Sequence, residues 1–198
     1  STNGGINAST NEPPDGGIQR WENCYPNDDI PRKLDIGIAV GYEMIANQRG
    51  QDKKCNTFID IIRWINMVNR IYIKQLNIHI FPKKILFIST ASSTIQFHNL
   101  KCKINSIHQH LNYFRNWVRQ YYSNQDIPTL GAWILLDDCH RSNDAQGLAY
   151  TKSLCNRNIG VGIVYKITTT WLTIAHELGH IFGALHSFEE GRGKTGGS

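Results

Sequence analysis

The sequence predicts an α/β domain built on one sheet, and three observations carry that expectation. Leu34-Asp35-Ile36-Gly37-Ile38-Ala39-Val40 alternates large apolar residues with others, the period of a strand. Farther on, apolar residues recur three or four apart between Phe58 and Leu76, the period of a helix with one buried face. Along the chain the two periods follow one another as strand, helix, strand, helix, strand, strand, strand, helix, an α/β order.

The residues before the first strand are of another kind. Ser1 to about Gly17 is rich in Asn, Ser, Thr, Gly and Pro with almost nothing apolar, and it reads as a flexible extension. Trp21 to Pro31 is mixed, with Cys24 in its middle, so residues 1–32 are expected to precede a folded domain over 33–198. Asn7-Ala8-Ser9 fits the short glycosylation pattern, on three residues of a polar tail.

After the strand at 34–40 and a polar stretch from Asn47 to Lys54, Thr57-x-x-Asp60 reads as a helix start. Phe58, Ile61, Ile62, Ile65, Val68, Tyr72 and Leu76 then mark the core face of a long helix. Ile78–Phe81 and Ile85–Ile88 read as extended segments split by Pro82, with Ser89 to Thr94 as a loop. Ile107, Leu111, Phe114, Val118 and Tyr121 give the buried side of a second long helix. Ala132-Trp133-Ile134-Leu135-Leu136 is wholly apolar and suits a central strand. Asp137, Asp138 and His140 follow it; a second metal site is one reading of them and a polar strand end the better one. Gly147–Tyr150 and Ile159–Val164 are two more strands, and Thr168 to Thr170 lead into the last helix.

Composition bounds the class. A chain of 198 residues suits one domain with a real core, and 40% hydrophobic with 19% charged residues is ordinary for a globular protein. The net charge of +5 is dispersed: the pairs Lys53-Lys54, Lys83-Lys84 and Lys101/Lys103 read as solvated surface, so no nucleic-acid partner is expected. No apolar run is long enough to span a bilayer, and with no initiator methionine or signal peptide the chain reads as a mature or excised part of a longer product. Its five cysteines form no C-x-x-C pair, which argues against a zinc ribbon or a thioredoxin-like centre. Outside the cell they allow two disulfides and one leftover thiol; in the cytosol they would be unpaired.

The last helix holds the strongest signal. His176, Glu177, His180, Gly183 and His186 form an uninterrupted H-E-x-x-H-x-x-G-x-x-H. Residues four apart share a helix face, so His176 and His180 can aim their imidazoles at one ion, with Glu177 beside it. Gly183 lets the backbone leave the helix and turn back, bringing His186 round as a third nitrogen ligand. Three histidines leave the fourth position of Zn²⁺ open for water, the arrangement of a catalytic zinc site.

On these residues the chain resembles the metzincin metalloproteases. Within them it is similar to the adamalysin (reprolysin) branch, which contains the ADAM proteases and snake-venom metalloproteases. The finer likeness rests on the strand Leu34–Val40 ahead of Ile65-Asn66-Met67-Val68-Asn69-Arg70-Ile71-Tyr72, on Gly147-Leu148-Ala149-Tyr150 with Cys155 after it, and on Gly160-Val161-Gly162-Ile163-Val164. It covers about Lys33 to Ser187. The resemblance implies a twisted, mostly parallel five-stranded sheet with an antiparallel edge strand, two long helices and an active-site helix. It also implies that Gly147, Leu148 and Ala149 form the edge strand that binds substrate through its backbone.

Two departures from the family's pattern stand out. The family sets a methionine turn below the zinc downstream of the third histidine, and the methionines here are Met44 and Met67, both upstream. The C-terminal helix and pocket wall of the family also have no counterpart, so the C-terminal subdomain is expected to be incomplete. In the family the counterpart of Cys155 usually pairs with a cysteine beyond that turn. A prodomain cysteine can also close the zinc site of family zymogens; Cys24 lacks the pattern around such a residue and reads as a disulfide partner.

Two functions remain open at this point. One is a zinc-dependent endopeptidase acting on protein or peptide substrates, secreted or on the extracellular or luminal face of a membrane, with Glu177 as general base and a prodomain or protein inhibitor as further partner. The other is a non-catalytic, zinc-stabilised protein-binding or adhesion module with the same fold.

Overall fold

The computed structural model describes residues 29–88, 102–104, 106–124, 129–139 and 145–186. Most of the expected extension, Cys24, Asn7, the 89–94 loop, His140 and the tail after His186 lie outside the described residues. The elements are β1 (Arg32–Val40), α1 (Tyr42–Ala46), α2 (Lys53–Leu76), β2 (Ile78–Phe87), α3 (Ile107–Ser123), β3 (Ala132–Asp137), β4 (Gly147–Ala149), β5 (Val161–Tyr165) and α4 (Thr170–Phe182). The five strands form one sheet in the order β2-β1-β3-β5-β4. All neighbours are parallel except β4, which runs antiparallel to β5 at the edge. This is the expected architecture.

Strand alternation sorts the core into two layers. Ile36, Ile38, Val40, Ile134, Leu136 and Val164 point to one face and meet α2 and α4. Ala39, Trp133, Leu135, Val161 and Ile163 point to the other and meet α3 through Leu111, Phe114 and Val118. Each such fully buried aliphatic contributes about 1.5–3 kcal/mol, so both layers rest chiefly on apolar burial.

Three local expectations are corrected, and one element goes unforeseen. The segments on either side of Pro82 form one strand, β2. Ile36 pairs with Pro82 and Gly37 with Lys84, so Lys83 is an extra residue in a bulge. Proline is tolerated there because β2 is an outer strand, whose outward N–H groups need no partner strand. Helix α2 begins at Lys53 rather than Thr57, because the Asp52 carboxylate accepts from the Cys55 N–H and caps it. With that start Thr57 takes the buried position and Phe58 turns outward, 44% exposed. The short α1, which buries Met44, carries too few turns to show a period in sequence.

Asn69 on α2 joins helix to sheet: its Nδ2 donates to the Ile80 carbonyl at 2.9 Å and its Oδ1 accepts from the Ile80 N–H at 2.7 Å. On the other face Cys102 and Cys139 form a disulfide that ties the approach to α3 to the end of β3. Cys55 and Cys155 are exposed free thiols. Among the described residues no helix is long and apolar enough to cross a membrane.

Candidate metal centre

Helix α4 buries Ile174, Leu178 and Ile181, spaced four and three apart, against the sheet. His176 and His180 lie on the opposite side and face a cleft of about 570 Å³ between α4 and β4. At the end of α4, Gly183 has φ +111°, a left-handed conformation that a side chain would strain. Its N–H donates to the His180 carbonyl at 2.8 Å and the Ala184 N–H to the Gly179 carbonyl at 2.9 Å, a Schellman ending. That reversal returns His186 to the two helical histidines, as the spacing predicts.

The three Nε2 atoms form a closed triangle: 3.0 Å from His176 to His180, 3.0 Å from His176 to His186 and 3.1 Å from His180 to His186. The His180 Nδ1–H donates to the Ala184 carbonyl at 2.8 Å, which leaves the neutral ring's lone pair on Nε2, toward the triangle. Protons cannot link three nitrogens that are all close to one another, whereas one cation serves all three. Zn–N bonds of about 2.0–2.1 Å in tetrahedral geometry set nitrogens roughly 3.3 Å apart, so the triangle fits one ion with slight expansion. Burial and then the proximity of His180 and His186 hold His176 below the usual histidine range, toward the neutral form that binds metal.

Glu177 is 3% exposed, and its Oε2 is buried without a hydrogen-bond partner among the described residues. Burial pushes its carboxyl up to about 8. A dication nearby would draw it down again, so this carboxyl suits a site that contains positive charge. Across the cleft, β4 pairs with β5 through Gly147 with Val164, Leu148 with Ile163 and Ala149 with Gly162, and its other side is the sheet edge. Gly147, Leu148 and Ala149 thus line the same cleft as His176, Glu177 and His180.

The sequence did not disclose how α4 is held. The Tyr72 hydroxyl on α2 donates to the Ala175 carbonyl, immediately before His176, at 2.8 Å. The turn after β4 closes the last turn of α4: Lys152 N–H donates to the His180 carbonyl at 3.0 Å, and Ser153 and Leu154 N–H to the Ile181 carbonyl at 3.0 and 3.2 Å. Leu172 and Thr173 line the cleft on the turn before His176. Helical spacing from the motif would have found these two; nothing in sequence marks Lys152 as a backbone donor.

Asp137 terminates β3 as a polar strand end. Its Oδ1 accepts from the Asp138 N–H at 2.8 Å and its Oδ2 lies 3.7 Å from Nε2 of the fully buried His110. Among the described residues, the cluster that could hold a metal ion is His176, His180 and His186.

Comparison with known proteins agrees with this geometry. Residues 31–198 match the Reprolysin_5 description of metallo-peptidase family M12. A disintegrin and metalloproteinase domain-containing protein B of Aspergillus fumigatus is 29% identical over 166 residues, 76% of this chain and 20% of that protein. The snake venom metalloproteinase trimerelysin-2 of Protobothrops flavoviridis is 25% identical over 169 residues, 78% of this chain and 73% of that one. A chain in the structure of a chaperone-substrate complex shares the fold, with a TM-score of 0.57 over 77% of this chain and 24% of that one at 11% identity. The chain spans about a fifth of the length of the fungal relative.

Proposed function

The chain belongs to metallopeptidase family M12, and from that premise we propose that it is a zinc-dependent endopeptidase cutting protein or peptide substrates in the cleft between β4 and α4. The observation that carries the reading is the closed triangle of Nε2 atoms with, in the same cleft, the buried Oε2 of Glu177, which has no hydrogen-bond partner among the described residues. His176, His180 and His186 are the residues that would hold zinc. When bound, zinc supplies Lewis acidity, which lowers the pKa of water from about 15.7 to roughly 7 and stabilises negative charge developing on a carbonyl oxygen.

The chain's own residues do the rest. The Ala184 carbonyl holds the His180 ring by its Nδ1–H. Glu177, more readily ionised beside a dication, takes the proton of the attacking water on its carboxylate and returns it to the leaving amine. The outer edge of β4 offers backbone N–H and C=O groups, so an extended peptide adds as another strand, fixed by Gly147, Leu148 and Ala149. Leu172, 48% exposed on the cleft wall, covers apolar parts of the substrate and excludes water.

Residues 33–198 are read as the catalytic domain and 1–32 as its N-terminal extension. The Cys102–Cys139 disulfide supports a secreted or extracellular, including luminal, setting. A prodomain or protein inhibitor would occupy the same cleft as a substrate.

Glu177→Gln, assayed on a broad peptide library, should lower hydrolysis by about 10²–10⁴-fold while zinc content stays at the parent level. Parent-level cleavage by this variant would remove Glu177 from the base role. Stoichiometric zinc with no cleavage by the parent would support the binding-module alternative instead.

A further inference from the structure

We propose that Gly147 is a positioning residue for Glu177: by carrying no side chain it leaves the space in which the Glu177 carboxyl group stands. This rests on the reading of Glu177 as the base and adds a reason for glycine at the head of β4 that backbone pairing with substrate does not give. A Cβ at Gly147 would lie 2.5 Å from Glu177 Oε1, 2.8 Å from Glu177 Cγ and 2.8 Å from Thr173 Cγ2. Carbon contacts are comfortable only at about 3.5–4.0 Å, so something must move.

The backbone itself makes no demand for glycine here. Among the described glycines positive φ occurs at Gly50 and Gly183, not at Gly147. The missing side chain would also point toward α4, since side chains stand perpendicular to the sheet, and not along the edge where a peptide pairs.

What would yield is decided by what is fixed. Gly147 is registered on Val164, which is fully buried in the sheet. Thr173 lies in α4, one turn before Glu177, and is itself 9% exposed. The Glu177 carboxyl is the end of a flexible chain, so it is the group that shifts most readily, while the contact with Thr173 Cγ2 is relieved by that side chain or its helix giving way by a smaller amount. A catalytic group displaced by about 1 Å can lose on the order of 10²-fold in rate, while a fold that keeps its register loses little.

The test is Gly147→Ala in the full chain loaded with zinc. The variant should remain folded with a Tm within about 3 °C of the parent and bind zinc stoichiometrically. Its crystal structure should show the Glu177 carboxyl displaced. For a peptide substrate, kcat should fall at least about tenfold with KM within about twofold, the signature of lost transition-state stabilisation. Adding Thr173→Ser, which removes the Cγ2 wall, should restore part of that kcat.

Three results overturn the proposal: an unmoved Glu177, a parent-level kcat, or an unfolded Gly147→Ala, which would show that backbone rather than side chain yields. If Glu177→Gln still cleaves, the base assignment fails, and the position of Glu177 in the Gly147→Ala crystal still decides the geometric claim.

Discussion

Asp137 is a carboxylic acid 2% exposed at the end of β3, and burial, opposed by the hydrogen bond from the Asp138 N–H and aided by the like charges of Glu43 and Asp138, pushes it up to about 7 from an ordinary 3.8. The folded chain therefore holds a proton that the unfolded chain releases. Its contribution to stability is fully present below about pH 4, declines as pH rises through about 7, and stays lost above, a change on the order of a few kcal/mol. Asp137→Asn keeps the acceptor for the Asp138 N–H and removes the charge. Urea unfolding of this variant should give a flatter profile between about pH 4 and 7 and higher stability than the parent near pH 8. An unchanged profile would place the titration on another residue.

At the level of elements, the turn after β4 and the end of α4 act as one unit. Lys152 stands in the left-handed region, φ +53°, so that its N–H reaches the carbonyl of His180. Lys152→Gly keeps the N–H and relieves a conformation that costs a residue with a side chain roughly 1–2 kcal/mol, so its Tm should rise or hold. Lys152→Pro removes the donor and forbids the angle, and chelator competition should find zinc held about tenfold or more weakly as the last turn of α4 frays. Equal zinc affinity in the two variants would show that the turn does not hold the histidines.

The same unit marks where sequence stops being informative. The face shared by His176 and His180, the reversal at Gly183 and the succession of strands and helices along the chain follow from local spacing and were legible, whereas the mostly parallel sheet with its antiparallel edge was implied only by the family resemblance. Tyr72 was legible as a core residue through its place in the α2 stripe, but its hydrogen bond to Ala175, 103 residues away, was not. The cap at Asp52 outcompeted the pattern at Thr57, and β2 ran through Pro82 because an outer strand can; both outcomes depend on neighbours rather than on period.

Taken whole, the molecule has two apolar layers, and the Cys102–Cys139 bond fastens the α3 layer to the central strand. It closes a loop with a sequence separation of 37, which stabilises the fold by about 2–4 kcal/mol in a chain-entropy picture. Reduction should lower Tm accordingly. The histidine triangle, built on α4 in the opposite layer, should keep any zinc loaded into it at temperatures well below the new Tm. Loss of zinc on reduction under those conditions would mean that the bond also holds the histidine triangle in place.

The two margins of the sheet are finished differently. At β2 the outward groups of Ile80 are taken by Asn69, and Pro82 has no N–H to offer. At β4 only three residues are in the strand, and their open side looks into the cleft. Among the described residues, then, β2 is blunted at Ile80 and Pro82 while β4 keeps its edge open toward the cleft, and a visiting chain that pairs there must already be stretched out. Under the proposed reading, such an enzyme would select by local slackness: linkers and frayed loops would fit the open edge, while the same residues wound into a helix would not.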